Sequence, residues 1–223
     1  MCIRDRTIID PTPVSAVNYN GQKDNVTEKE AECLFIAPEA HILLVDDNEL
    51  NLVVAKELLK PLRMQIDTAE NGLQAVKMVR GSQYDLVLMD HMMPVMDGIE
   101  AAKAIRALPE DKYQKLPIIA LTANAMVDAR KEFLNAGMNG FVAKPIDFAR
   151  ICNQLKLWLP KDLVRDVPKE EAKKLLADDL SDREIQPEDP QMGFSFEEGV
   201  KHCGSKAALM KTIRIFYRTI DSK

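Results

Sequence analysis

The amino-acid sequence predicts a doubly wound α/β domain, a parallel sheet with helices on both faces, and three observations carry that expectation. Short apolar runs with little alternation recur between residues 41 and 145, as strands buried on both faces of a parallel sheet require. Stretches with apolar residues at helical spacing separate them. The runs end in polar residues that can share one chemistry, namely Asp46 and Asp47, Asp90, Thr122 and Lys144.

The first strand is the run Ile42, Leu43, Leu44, Val45, ending in Asp46-Asp47. Leu50, Val53, Val54 and Leu58 follow at helical spacing until Pro61, which marks a helix. Met64 and Ile66 alternate with Gln65 and Asp67, which suits a half-covered edge strand. Asn71-Gly72 opens a helix whose apolar face is Leu73, Val76 and Val79. The third strand, Leu86 to Met89, runs without alternation into Asp90. Pro94 cannot continue a ladder, and Asp97-Gly98 is a turn pair able to cap a helix carrying Ile99, Ala102 and Ile105. Residues 117–122 make the fourth strand and residues 127–136 a helix stopped by Gly137. Residues 141–143 make a short fifth strand, and Phe148, Ile151, Cys152, Leu155 and Leu159 form the stripe of a last helix before Pro160. Five such alternations predict a doubly wound sheet, and the flavodoxin-like order 2-1-3-4-5 expected for it would make the first and third strands neighbours, so that Asp46, Asp47 and Asp90 would converge.

Composition bounds the function. Of 223 residues, 46% are hydrophobic and 29% charged, enough for a packed core. A net charge of -5 argues against a nucleic-acid binder with a broad basic face. Cys2, Cys33, Cys152 and Cys203 are scattered, so neither a zinc site nor a disulfide framework is expected, and reduced thiols in the cytoplasm are the plain reading. No apolar run approaches the roughly 20 residues of a membrane span, so no membrane contact is expected of this stretch. The opening MCIRDR lacks the apolar core of a secretory signal and reads as a fragment edge or an assembly scar.

Three carboxylates brought within a few Å repel one another unless a cation neutralises them. Carboxylate, carbonyl and water oxygens suit Mg²⁺ or Mn²⁺, and an exposed site of that kind leaves positions open for a phosphoryl group. A carboxylate oxygen can then attack phosphorus.

Asp46-Asp47 after the first strand, Asp90 with MPVMDG behind it after the third, Thr122 after the fourth and Lys144-Pro145 after the fifth resemble the receiver domain of two-component response regulators over residues 41–159. The resemblance implies that Asp90 accepts a phosphoryl group from the phosphohistidine of a histidine kinase or phosphotransfer domain. It also implies that Asp46, Asp47, Asp90 and the backbone carbonyl of Met92 hold the metal. Thr122 would donate its hydroxyl to a phosphoryl oxygen, Lys144 would supply a point charge, and the Lys144-Pro145 bond would be cis. Phe141 occupies the place of an aromatic switch partner of Thr122. It lacks a tyrosine hydroxyl, which softens the expected coupling. A receiver of this kind assists its own phosphorylation and dephosphorylation, but the stretch shows no Gly-rich ATP loop and no kinase histidine.

The flanks read differently. Residues 1–37, with Pro11, Pro13 and a charged run, have a linker composition, and TIIDPTPV resembles the close of the ATP-binding domain of sensor histidine kinases. The receiver is expected over 38–160. A charged linker follows over 161–192, with room for a short helix at 170–176. Residues 193–223 then resemble the opening helices of a histidine phosphotransfer domain, without its phosphoacceptor motif. Together these suggest a piece of a hybrid histidine kinase. A stand-alone response regulator, a metal-dependent phosphatase or phosphotransferase, and an interaction module with a vestigial site remain the alternatives. The phosphatase pattern places its second Asp two residues after the nucleophile, whereas Asp46 and Asp47 are adjacent.

Several residues invite sharper readings than they earn. His91 beside Asp90 is read as a packing or solvent residue, and His202 as a surface histidine. Met89, Met92, Met93 and Met96 are read as core and loop packing rather than a soft-metal box, and Cys152 as an inert buried thiol.

Overall fold

The computed structural model describes residues 28–123 and 127–178. In chain order the elements are α1 (Glu28–Cys33), β1 (Phe35–Ile36), β2 (His41–Val45), α2 (Glu49–Leu59) with a 3-10 turn at Lys60–Leu62, β3 (Gln65–Ala69), α3 (Gly72–Gly81) and β4 (Leu86–Asp90). They continue as α4 (Gly98–Arg106), α5 (Asp111–Lys115), β5 (Ile118–Thr122), α6 (Val127–Asn135), β6 (Gly140–Ala143), α7 (Phe148–Trp158), β7 (Arg165–Asp166) and α8 (Lys169–Asp178).

Five parallel strands form the sheet in the order β3-β2-β4-β5-β6, which is 2-1-3-4-5 when its strands alone are counted. The half-apolar strand predicted for an edge, β3, lies at one. Period-two alternation sends Ile42, Leu44, Leu86, Leu88, Ile119 and Leu121 to one face, where α2 and α7 pack. Leu43, Val45, Val87, Met89, Ile118 and Ala120 go to the other, beneath α3, α4 and α6. Both faces being covered, the β4 and β5 strands are buried at every position. The chain reverses strand order between β2 and β4, and the crevice at their carboxyl ends is where ligands of such sheets bind.

Helix starts follow the predicted caps. Asn71 Oδ1 accepts from the Gln74 amide at 2.9 Å, and Asp97 forms a capping box with Glu100. Of the apolar faces predicted for α2 and α3, Leu58, Val76 and Val79 meet the core as expected, whereas Leu50 and Leu73 do not. Leu52, Ala55 and Leu59 are the buried residues of α2, while Leu50 is 45% exposed; in α3 Gly72, Ala75 and Val79 are buried and Leu73 is 39% exposed. Ala55, Gly72 and Ala75 are small residues that a reading of large apolar side chains passes over, while Leu52 and Leu59 lie one position away from the predicted Val53 and Leu58.

The helix expected near residues 170–176 is present as α8, but the flanks are otherwise more ordered than a plain linker. Within the segments read as linkers, α1 and β1 on one side and β7 and α8 on the other are folded and meet, with Phe35 paired to Asp166 and Ile36 to Arg165. Ala31, Leu34, Phe35, Ala37 and Ala172 are buried in the same core cluster as α2 and α7. Contacts such as Glu32 to Lys169 span 137 residues, so no local pattern announces them. TIIDPTPV, residues 179–192, His202 and the phosphotransfer-like residues 193–223 lie outside the described residues.

Candidate functional site

Strand alternation places the chemistry. Asp46 continues the parity of Leu44, Asp90 that of Leu88 and Lys144 that of Val142, so these three side chains leave three strands toward the same side. The register aligns Val45 with Met89 and Asp90 with Leu121, which sets Asp46 opposite Asp90 and puts Thr122 one residue further along the neighbouring strand. Thr122 pairs with Ala143, and the Lys144 amide donates to the Thr122 carbonyl at 2.7 Å.

Lys144 Nζ lies 2.7 Å from Asp46 Oδ2 and 2.8 Å from Asp90 Oδ2, bridging the two carboxylates. Oxygens of Asp46, Asp47 and Asp90 lie within 4.8 Å of one another, with Asp46 and Asp90 only 2% and 6% exposed and Asp47 open to solvent. The opposing effects on Lys144 are unequal. Burial pulls its ammonium toward neutrality, but hydrogen bonds to Asp46 and Asp90, together with their charges, outweigh that and hold its pKa above the ordinary lysine value.

Two residues not singled out in the sequence support the cluster. Asp46 Oδ1 accepts from the Asn48 amide at 3.0 Å and from Asn51 Nδ2 at 2.9 Å, fixing the carboxylate's rotamer while Oδ2 faces Lys144. Asn48 also caps α2. The signal was present as two asparagines just after the paired aspartates, one of them at a helix start.

Of the other sequence-predicted residues, Thr122 is fully buried at the end of β5, and Phe141, half-buried, shares its face of the sheet. Met92 sits in the β4–α4 loop with its side chain 70% exposed. The Lys144-Pro145 bond is cis. His91 packs edge-on against Phe133 at 5.6 Å, with Nδ1 3.3 Å from the Leu121 carbonyl and 3.7 Å from Asp90 Oδ1. Met89 and Met93 are buried, and burial pushes the Cys152 thiol well above the usual range.

The β4–α4 loop is tightly drawn. The amide of Gly98 donates to the His91 carbonyl at 3.2 Å, and a Cβ on Gly98 would overlap the Asp90 carbonyl oxygen. Val95, 78% exposed, adopts φ 73, a left-handed conformation unfavourable for a β-branched residue.

Fold and site together define an α/β domain with an acidic, lysine-bridged centre at the switch point of its sheet. The chain belongs to the response regulator receiver domain family, matched over residues 42–156. It is 37% identical over 169 residues to the sensor protein GacS of Pseudomonas syringae pv. syringae, covering 75% of this chain and 18% of GacS. It is 40% identical over 119 residues to the signal transduction histidine-protein kinase BarA of Escherichia coli, covering 53% of this chain and 13% of BarA. The match thus spans less than a fifth of either relative. Among solved structures, the chemotaxis protein CheY4 of Vibrio cholerae superposes with a TM-score of 0.51 at 28% identity, covering 54% of this chain and 98% of CheY4. A chain in the complex of the Saccharomyces cerevisiae phosphotransfer protein Ypd1 with the receiver domain of Ssk1 superposes with a TM-score of 0.52 at 26% identity, covering 60% of this chain and 99% of its own. No helix among the described residues is long and apolar enough to cross a membrane.

Proposed function

We propose that this receiver takes a phosphoryl group onto Asp90 from a phosphohistidine, within a hybrid histidine kinase acting in the cytoplasm. The observation that carries the reading is the Lys144 ammonium held between Asp46 and Asp90 beside a third carboxylate, Asp47. A phosphohistidine donor fits the kinase relatives and the Ypd1–Ssk1 complex.

One lysine against three clustered carboxylates, two of them buried, leaves an excess of negative charge that a divalent cation would neutralise. Asp46, Asp47, Asp90 and the backbone carbonyl of Met92 would hold Mg²⁺ or Mn²⁺, which when bound screens the charge of the incoming phosphoryl oxygens. An Asp90 oxygen forms a bond to phosphorus as the phosphorus–nitrogen bond breaks, and the electron pair returns to the imidazole of the donor. Lys144 shifts its ammonium from Asp90 toward the phosphoryl group, and the Thr122 hydroxyl donates to a phosphoryl oxygen. Thr122 is drawn toward the new group, and Phe141, on the same face, follows. Moving such a switch from mostly off to mostly on takes about 5 kcal/mol of differential stabilisation. The four-part constellation and the adjacency of Asp46 and Asp47 disfavour an ester-hydrolysing phosphatase.

Incubation with acetyl phosphate and Mg²⁺, read by intact mass, tests this reading. One phosphoryl adduct is expected, absent in Asp90→Asn and removed on adding EDTA before the donor. Steady turnover of unrelated phosphate esters, or an adduct that persists in Asp90→Asn, would overturn it.

A further inference from the structure

Asp46 is held from behind by the segment that follows it. The Asn48 amide donates to Asp46 Oδ1 at 3.0 Å, and Asn51 Nδ2, in the first turn of α2, donates to the same oxygen at 2.9 Å. Asn48 is itself pinned, because its Oδ1 accepts from the Leu50 amide at 2.9 Å as the cap of α2. Two N–H donors on one oxygen of a carboxylate only 2% exposed leave the other, Oδ2, as the atom that Asp46 turns toward the site, where Lys144 Nζ meets it at 2.7 Å. The opening of α2 therefore decides how many oxygens Asp46 can offer.

That number separates one cation from another. Ca²⁺ takes roughly six to eight oxygens and readily uses both oxygens of one carboxylate, whereas Mg²⁺ is smaller, keeps several waters and is held by one or two carboxylates. With Oδ1 of Asp46 tied to Asn48 and Asn51, the centre has one oxygen fewer to give, which favours the smaller ion. Hydrogen bonds to a ligating carboxylate also set affinity, since losing such an outer partner costs roughly 10–100-fold. Asn51 is neutral and exposed, so replacing it alters neither the charge of the cluster nor the buried face of α2. What changes is the freedom of Asp46.

We propose that Asn51 is a positioning residue that confines Asp46 to one inward oxygen and so biases the acidic centre toward Mg²⁺ and against Ca²⁺. The inference rests on the reading of Asp46, Asp47 and Asp90 as a divalent-cation centre and adds a residue outside that set.

Competition for Mn²⁺, read from the free-ion electron paramagnetic resonance signal with the unphosphorylated full chain, measures the Mg²⁺ and Ca²⁺ affinities without any phosphoryl transfer. Asn51→Ala is expected to weaken Mg²⁺ about tenfold and to leave Ca²⁺ within about twofold, so that the Mg²⁺-to-Ca²⁺ ratio falls about fivefold or more. Ala55→Gly loosens α2 at its buried face without removing a partner of Asp46, and is expected to lower stability while keeping the parent ratio. An unchanged ratio in Asn51→Ala, or a ratio shifted as far by Ala55→Gly, would overturn the inference. A parent chain that binds no Mn²⁺ would overturn the metal-assisted reading of the site as well. Acetyl phosphate labelling of Asp90 alongside an unchanged ratio in Asn51→Ala would remove this inference alone.

Discussion

The amide of Lys144 donates to the carbonyl of Thr122 at 2.7 Å, so the ammonium-bearing end of one strand and the hydroxyl-bearing end of the next are mechanically one piece. That join places a cation where two buried carboxylates would otherwise confront each other. In Lys144→Ala, measured in EDTA, stability to urea is expected to fall by about 1–3 kcal/mol, because Asp46 and Asp90 lose their common partner. Adding Asp90→Asn should recover part of the loss, a coupling that a double-mutant cycle reads directly.

The same lysine sets an alkaline limit. Its pKa is raised in the folded chain, so its contribution is fully present below the ordinary lysine value of 10.5 and is lost as pH rises through the raised value. Tyr84 adds to this limb. Burial, with the hydrogen bond its hydroxyl donates to Asp67 at 2.7 Å, pushes its pKa up to about 12. The unfolded chain releases this proton from pH 10 upward, and stability falls between there and about 12. Tyr84→Phe should flatten that slope and cost about 1 kcal/mol at neutral pH, measured by urea unfolding across pH.

Asp67 contributes on the acid side. The Tyr84 hydroxyl, then His41 at 3.0 Å, hold its carboxyl below the ordinary value of 3.8. Its contribution is therefore present above that value and lost as pH falls through the lowered one. Asp67→Asn is expected to leave a shallower acid limb in thermal melts taken from pH 6 to pH 3.

The loop behind Asp90 holds strain that substitution can release. Val95→Asn should raise stability by about 1 kcal/mol, since asparagine tolerates the left-handed conformation that valine resists. Gly98→Ala should do the opposite, costing about 3 kcal/mol and slowing phosphorylation, because its Cβ would push on the Asp90 backbone. Equal acetyl phosphate labelling rates in Gly98→Ala and the parent chain would contradict this.

Arg106 ties three segments together. Its guanidinium donates to the carbonyls of Gly137 at 3.0 Å, Tyr113 at 2.5 Å and Leu116 at 2.8 Å, and to Asn139 Oδ1 at 3.0 Å. Arg106→Lys keeps the charge but not the fork, so a loss of about 3 kcal/mol is expected in chemical denaturation. Substituting the exposed Lys103 should change little.

Where sequence patterns are local, they were legible. Apolar runs ending at Asp46, Asp90 and Thr122 reported buried strands, Asn71 and Asp97 reported helix starts, and the order of the sheet is the flavodoxin-like one that strand–helix alternation suggested by analogy. The carboxylates could be expected to converge because strands of fixed parity carry them to one end of a sheet. By contrast, Ala55 and Ala75 carry helix packing that a search for leucine and valine overlooks. The network of Arg106 depends on carbonyls, which no side-chain identity reveals.

What the amino-acid sequence alone determined was the kind of sheet and which polar residues stand at the carboxyl ends of its strands, since both depend on periods of two and 3.6 residues along the chain, while the strand order was expected by likeness to a flavodoxin-like arrangement. Tertiary structure alone decided that Lys144 bridges Asp46 and Asp90, that Asn51 orients Asp46, and that Glu32 meets Lys169. Those contacts join residues whose separations along the chain range from 5 to 137, and their energy depends on distances and burial that exist only once the sheet has closed.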